Sequence, residues 1–577
     1  MYLRETRRRN KDGSTVSYLQ LAHNERHPQT GSPVARIIHN FGRADQVDRE
    51  ALRRLVASIS RFLEPDAEPT GVGGSGVELL EARRFGGAYA LDRLFERLGI
   101  GNALRSAAAG RRLDPEAVER ILFALVAQRA LEPASKLAAT RWVAERVAIE
   151  RCPAFSEDAA YRAMDFLTSA LPEIAEAVFA RTATLLNLAC DVIFVDTTST
   201  YFEIDVADEE LETADEELEA DEAAQAQDEG GPPEAAIRRF SKHSKDHRPD
   251  RPQIVVGMAV TAEGIPVRCW SFPGDASDAA IIRTVHDDLA GWKLNRVLWV
   301  ADAGFDSVAN RAYLQRGGGH YVLAEKLRSR SSEVRAVLAR AGRYHTLANG
   351  LAVKEVRLGE GVRAERFVLC YDGETAARDA KVRKNLLAYL EGKIAGSDAW
   401  SQRRRDELVG ELRSTPGLAR LLRRTKGGLL RIDAAAVARE QRLDGKWLLR
   451  TSDETLTAAD LAAAYRQLYE IERGWRDFKG SLRLRPVFHS REDRIRAHVQ
   501  ICWLALLLMR VVENATQMSW RCVREELDRM HLVTLATEEG RVAKRTLTTP
   551  GQRRILGALE LPEPPAFADF EVASKTT

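Results

Sequence analysis

Two short apolar runs that each close on an aspartate, VIFVD ending at Asp196 and VLWVAD ending at Asp302, constrain this chain more than any other feature. Neither run alternates polar with apolar residues, so both suit strands buried on two faces, and such strands need covering layers on both sides. Between them, IVVGMAVTAEG and IPVRCWSFPGD form a hairpin around Glu263-Gly264, a helical segment follows near 278–291, and a helix over 305–316 with the strand HYVLAEK completes the run. The expected core is therefore α/β. Each strand is expected to end at its acid, which then emerges at a rigid sheet edge. A single aspartate after a buried strand is common in α/β proteins; two of them, with hairpin strands between, are more specific.

A third acid comes from YRQLYEIERGWRDFK, Tyr465 to Lys479, which has no proline, has no glycine before Gly474, and reads as a helix. Positions seven apart on a helix differ by about 20°, so Tyr465, Glu472 and Lys479 share a face, with Tyr469, Trp475, Arg476 and Arg483 beside them. Glu470 and Asp477 point away. Glu472 thus stands among aromatics and cations that can grip a phosphate backbone and stack on a base. An amphipathic helix with a solvated, salt-bridged face fits the same pattern. Two aspartates and a glutamate together form the hard-oxygen set that Mg²⁺ or Mn²⁺ prefers, and two such ions can serve both sides of an in-line phosphoryl displacement.

Charge supports a polyanionic partner. The formal balance is +2, but Glu203 to Glu234 holds fifteen acids and no Lys or Arg, so without that tract the formal charge is +17. Its single-sign charge and low aromatic content mark 205–234 as a disordered acidic insertion. The basic loop after it, SKHSKDHR, offers Lys245 and Arg248 to phosphate; His243 and His247 lack a third ligand for a metal site. The six cysteines show no CxxC pair, which fits a reducing cytoplasm. The basic N-terminus lacks the apolar core of a signal peptide. The run Ile501 to Met509 is too short to span a bilayer and reads as a buried helix.

In chain order, residues 1–65 form a basic strand unit with eight Lys or Arg against three acids over 1–44, with a KDG turn, a helix near 48–62 and a Pro/Gly-rich linker behind. Residues 79–190 are helical by their three- and four-residue apolar spacing. The α/β core occupies 191–329 and 446–517, separated by a mixed insertion over 330–445 and followed by a tail over 518–577. Asp306 is expected to cap the next helix, and His489 and His498 to serve packing or hydrogen bonding.

VIFVDTTSTYF, VLWVADAGFDS and YEIERGWRDFK, in that order, resemble the bacterial insertion-sequence transposases of the DDE class, in the group whose third motif is Tyr-x2-Arg-x3-Glu-x6-Lys. The resemblance extends through SKDHRPDRPQ, the GIPV hairpin and LRPVFH, over roughly 190–515. It implies an RNase H-like catalytic core carrying a large insertion, largely of strands, between the second Asp and the Glu, in which an aromatic holds a flipped base. It implies Asp196, Asp302 and Glu472 as catalytic ligands of two Mg²⁺ or Mn²⁺ ions, and Tyr465 and Lys479 as contacts to DNA near the cleaved end, with Arg473 and Arg476 nearby. Leu468 stands where the group has its Arg, which puts handling of the end phosphate in doubt. The implied reaction is cut-and-paste transposition: cleavage at the terminal inverted repeats, strand transfer into target DNA, and a homodimer in the synaptic complex. The competing reading is a sequence-specific DNA-binding protein or repressor derived from a transposase, without nuclease activity; three intact acids argue against simple decay.

Overall fold

The computed structural model describes residues 2–9, 15–26, 33–44, scattered positions between 47 and 59, 78–203 and 237–572, apart from 189–190, 243, 291, 293–296, 330, 362–363, 414, 486, 488, 490 and 538–539. The expected KDG turn, most of the 48–62 helix, the Pro/Gly linker, the acidic 205–234 tract and His243 lie outside the described residues.

The basic N-terminal segment forms an antiparallel three-stranded sheet from β1 (Tyr2–Arg9), β2 (Thr15–Arg26) and β3 (Pro33–Arg43), with β2 central. A further strand, β4 (Glu78–Arg84), leads into six helices between Gly86 and Leu186. Several helix starts are sequence-encoded: Asp114, Ser135 and Ser156 each accept backbone N–H groups at an N-cap.

The central sheet starts with β5 (Val192–Tyr201), β6 (Gln253–Val260) and β7 (Pro266–Pro273), a consecutive antiparallel set. Next, β8 (Leu298–Ala301) lies parallel to β5, and β9 (His320–Glu325) parallel to β8. Along β5, Ile193 and Val195 face one core with the helix Asp278–Ala290, while Phe194 faces the opposite core with the helix Glu492–Thr516. That long helix is almost wholly buried. The helices between 86 and 186 pack on it and share its hydrophobic core, so the helical segment and the sheet are joined through one apolar interior.

Three expectations need correction. β5 does not stop at Asp196: Thr197, Thr198, Ser199, Thr200 and Tyr201 continue the ladder with β6, because β-branched and aromatic residues tolerate the pleat. The parallel ladder with β8 ends at the pair Val195 and Ala301. Asp196 therefore emerges where β5 outlasts its neighbour. Second, the 330–445 segment is not one separate insertion. After the short β10 (His345–Thr346), strands β11 (Ala352–Leu358) and β12 (Glu365–Tyr371) join the central sheet. A unit with its own small core around Leu390, Leu408, Leu412 and Leu430 then runs from Gly373, includes the hairpin β13 (Leu422–Arg424) and β14 (Leu430–Ile432), and returns to β15 (Lys446–Thr451), which lies between β12 and β9. The sheet order is β10-β11-β12-β15-β9-β8-β5-β6-β7. Third, 518–577 is no tail: β16 (His531–Thr537), β17 (Gly540–Arg545) and β18 (Phe567–Val572) form a four-stranded sheet with β4, and Met530, Ile555 and Leu556 lie in the main core.

Candidate active site

Register brings the two aspartates together. With Val195 paired to Ala301 across the parallel strands, Asp196 and Asp302 follow side by side, and the pleat turns both toward the face occupied by Phe194 and Val300. The third acid comes from above that face. The expected single helix over 465–479 is two, Ala458–Arg466 and Leu468–Lys479, interrupted at Gln467, which keeps right-handed dihedrals (φ −70°, ψ −9°). In the second helix Ile471, Gly474, Trp475 and Phe478 form the buried stripe, leaving Glu472 exposed beside it. Gly474 matters for this approach, since a Cβ there would stand 2.9 Å from Met258 Cε on β6. Asp196, Asp302 and Glu472 thus line one cleft of about 350 Å³, together with Asp372, Trp447, Tyr465, Arg466, Leu468 and Tyr469.

The side chains around Asp196 define its state. The Trp475 indole N–H donates to its Oδ2 at 3.1 Å, and Lys245 Nζ lies 4.0 Å from its Oδ1. Burial pushes the Asp196 carboxyl up to about 6, against the opposing pull of Lys245; Asp278 and Asp302 add to the rise. The Tyr465 hydroxyl donates to Asp302 Oδ1 at 3.2 Å, and burial beside the three carboxylates holds its proton firmly.

Three carboxylates from separate elements, facing one solvent-open cleft with one of them desolvated, suit a hard divalent cation. Among the described residues, no three such groups are already drawn close enough to grip an ion.

The DNA-contact expectations fare differently. Arg476 is exposed, its guanidinium 5.1 Å from the Tyr469 ring centre. Lys479 is half-buried and donates to Asp246 at 2.6 Å. Arg473 turns away from the cleft, donating to Glu513 at 2.7 Å on the helix Glu492–Thr516, with Glu470 also in reach. Lys245 is engaged inside the site, with Thr197 O at 3.0 Å and Asp278 at 3.2 Å. Arg248 pairs with Asp250 at 2.9 Å and lies over the Tyr201 ring. Trp475, expected beside the DNA-facing groups, is buried against Asp196. Leu468 packs on the core, and Arg466 brings a guanidinium into the same cleft, held by Asp372 at 2.6 Å. Asp306 does not cap the following helix; Ser307 does, and Asp306 pairs with Arg311 at 2.5 Å. The roles of Asp278 and Thr197 had no local signal, since they meet Asp196 only through the fold.

Two family matches bear on this arrangement: an IS1634 family transposase N-terminal domain over residues 3–69, and a transposase DDE domain over residues 224–508. The chain belongs to the insertion-sequence DDE transposases. The matched DDE domain of this transposase contains Asp302 and Glu472; Asp196 precedes the matched stretch and joins the site by register alone. No curated protein matches the transposase sequence. Among solved structures, a piggyBac transposase synaptic complex with hairpin DNA is similar at 9% identity and a TM-score of 0.34, over 79% of this chain and 82% of the other. That likeness is too distant to bear on the transposase's fold or chemistry.

Proposed function

We propose that this DDE transposase cuts the ends of its own insertion element and joins them to target DNA at the cleft of Asp196, Asp302 and Glu472. The observation that carries the reading is the convergence of these three acids from two adjacent parallel strands and a packed helix. The sheet supports an RNase H-like core: three antiparallel strands β5 to β7, then β8 and β9 added in parallel on the other side of β5. Strands β10 to β12 and the 373–445 unit are additions to that core.

In this reading the three carboxylates hold Mg²⁺ or Mn²⁺, expected as two ions, which when bound activate the attacking oxygen and stabilise the leaving one. The chain's own residues do the rest. Trp475 and Lys245 hold Asp196 against the sheet, and Tyr465 orients Asp302. Arg466 and Arg476 offer cations to the strand at the cleft mouth, with Tyr469 as a stacking surface. The match to the Tyr-Arg-Glu-Lys group is carried by Tyr465, Glu472 and Lys479; the group's Arg is Leu468 here, and Arg466 supplies a guanidinium in its place. Lys479 reaches DNA by exchanging Asp246 for a phosphate. Two copies, each holding one terminal inverted repeat, form the synaptic complex, and the protein works in the cytoplasm on nucleoid DNA.

The test is strand transfer. Pre-cleaved duplex carrying the element's terminus is incubated with supercoiled plasmid and Mg²⁺ or Mn²⁺, and joined products are sized on a gel. Covalent joining supports the reading. Specific end binding without joining or cleavage under either metal would favour the repressor alternative.

A further inference from the structure

Between the segment that follows the catalytic helix and the helical region around Arg129 and Lys136 lies a second concave site, of about 270 Å³, whose charged lining is entirely cationic. Arg129, Lys136, Arg483 and Arg485 surround it with the neutral imidazoles of His489 and His498, drawn from two distant stretches of chain. Lys136 is only 3% exposed and Arg129 6%. Among the described residues neither touches a carboxylate. Arg129 donates to the carbonyl oxygens of Ala134, Leu482 and Arg483, and among the described residues its Nε has no partner. Among the described residues Lys136 has one hydrogen-bonding contact, His498 Nδ1 at 3.5 Å. The His498 Nε2 faces the Leu484 carbonyl at 3.2 Å and so carries the ring's proton, leaving Nδ1 as an acceptor for Lys136. Tyr161, also in the lining, is occupied by Glu157, and Arg485 by Asp246 at 2.8 Å.

Cations buried without counter-charges are costly, and folds retain them where a ligand supplies the missing charge. Burial and Arg129 push the Lys136 ammonium down to about 7, as expected where no anion is in reach. The N-terminal end of the helix Lys136–Glu145 lies in the same wall, adding the positive end of its dipole. Ammonium, guanidinium and helix end together match a phosphate oxyanion. Position narrows the source. Arg485 links this pocket through Asp246 to Lys479, at the far end of the helix that carries Glu472.

We propose that this pocket seats a backbone phosphate of the bound DNA, away from the cutting site, and so fixes the path of the duplex along the protein. The proposal stands on the geometry of the pocket and on DNA as the family's partner, independently of the three-acid site, and its readouts are binding rather than cleavage.

The experiment uses the full chain, Lys136→Met, Lys136→Arg and Arg483→Asn, the last at an exposed left-handed position (φ 47°) where Asn is tolerated. Inorganic phosphate is titrated against thermal melting, and binding of a terminus duplex is followed by anisotropy across salt concentrations. Phosphate is expected to raise the melting temperature of the parent and not of Lys136→Met. The log–log salt slope of DNA binding should shrink by about one in Lys136→Met and in Arg483→Asn, and recover in Lys136→Arg. Without ligand, Lys136→Met should melt no lower than the parent, since it removes an unpaired buried cation. Unchanged salt slopes in both neutral variants would overturn the proposal. Stabilisation by phosphate with unchanged slopes would overturn the DNA assignment in favour of a free anion.

Discussion

Of the three acids in the cleft, Asp196 is the least exposed and the one with three constraints on it: strand register, the Trp475 indole and the Lys245 ammonium. Replacing Trp475 by Phe keeps the apolar bulk in the stripe and removes one N–H from the carboxylate. Residues that orient a ligating group typically contribute roughly tenfold to a hundredfold to activity. Trp475→Phe is expected to lower single-turnover cleavage by about that factor with little change in melting temperature, and unchanged cleavage would remove Trp475 from the site. The acids themselves were legible in the sequence because each closes an apolar run or stands on a patterned helix. Trp475 was visible as a neighbour of Glu472, but its inward direction was not. A helix face can be counted from spacing, whereas the partner of that face depends on which strand it meets.

The helix Leu468–Lys479 is held from behind by ion pairs as well as by its apolar stripe. Arg510, almost wholly buried, donates to Asp477 at 2.6 Å and to Glu513, which also accepts from Arg473 and from the Trp520 backbone N–H. Removing one partner from such a network leaves a buried charge uncompensated, at about 3–5 kcal/mol. Arg510→Met should therefore lower the unfolding free energy by roughly 3 kcal/mol, read by urea denaturation; a loss under about 1 kcal/mol would mean that water reaches the network. The segment after this helix carries a pH signature. Burial first, then the Lys136, Arg129 and Arg494 cations, push the His489 imidazolium down to about 4, and burial with Arg129, Lys136 and His489 holds His498 well below its ordinary value. The unfolded chain takes up these protons near pH 6.5 while the fold resists. The contribution of these two imidazoles is thus full above about pH 6.5 and declines as the pH falls toward 4. Lys136, pushed down to about 7, acts with the same sign between its ordinary value near 10.5 and 7. Urea midpoints should fall from pH 7 to pH 5, and a flat profile would contradict the burial of these imidazoles.

At the scale of the whole molecule, the sequence conveyed the order of segments better than their boundaries. The α/β core and its hairpin were readable from apolar runs and turn residues. The membership of β11 and β12 in the same sheet was not, since AVKEVRL and ERFVLCY are as compatible with a separate sheet as with this one. Nor was the sheet that unites β4 with residues 531–572, a pairing across most of the chain. The structure marks the 373–445 unit as the removable part. Tyr371 pairs with Lys446, and the Asp372 N–H donates to the Gly445 carbonyl at 2.9 Å, so the chain leaves and re-enters the sheet at adjacent points. Gly445, at φ 65°, faces the Asp372 carbonyl so closely that a Cβ there would stand 2.3 Å from its oxygen. Replacing 373–444 by a short glycine-containing turn is expected to leave a folded protein with a cooperative thermal transition, and a molten or aggregated product would show that the unit is integral to the core.

The central claim, that Asp196, Asp302 and Glu472 act as one metal-holding set, is tested most directly by cleavage of a labelled terminus duplex with Mg²⁺, comparing the parent with Asp196→Ala, Asp302→Ala and Glu472→Gln. Each variant should bind the duplex as the parent does and lose cleavage by about a hundredfold to a thousandfold, in line with the loss of a group on which stabilisation of the transition state depends. Cleavage that persists near the parental rate in any one of the three, with folding and binding intact, would contradict the account.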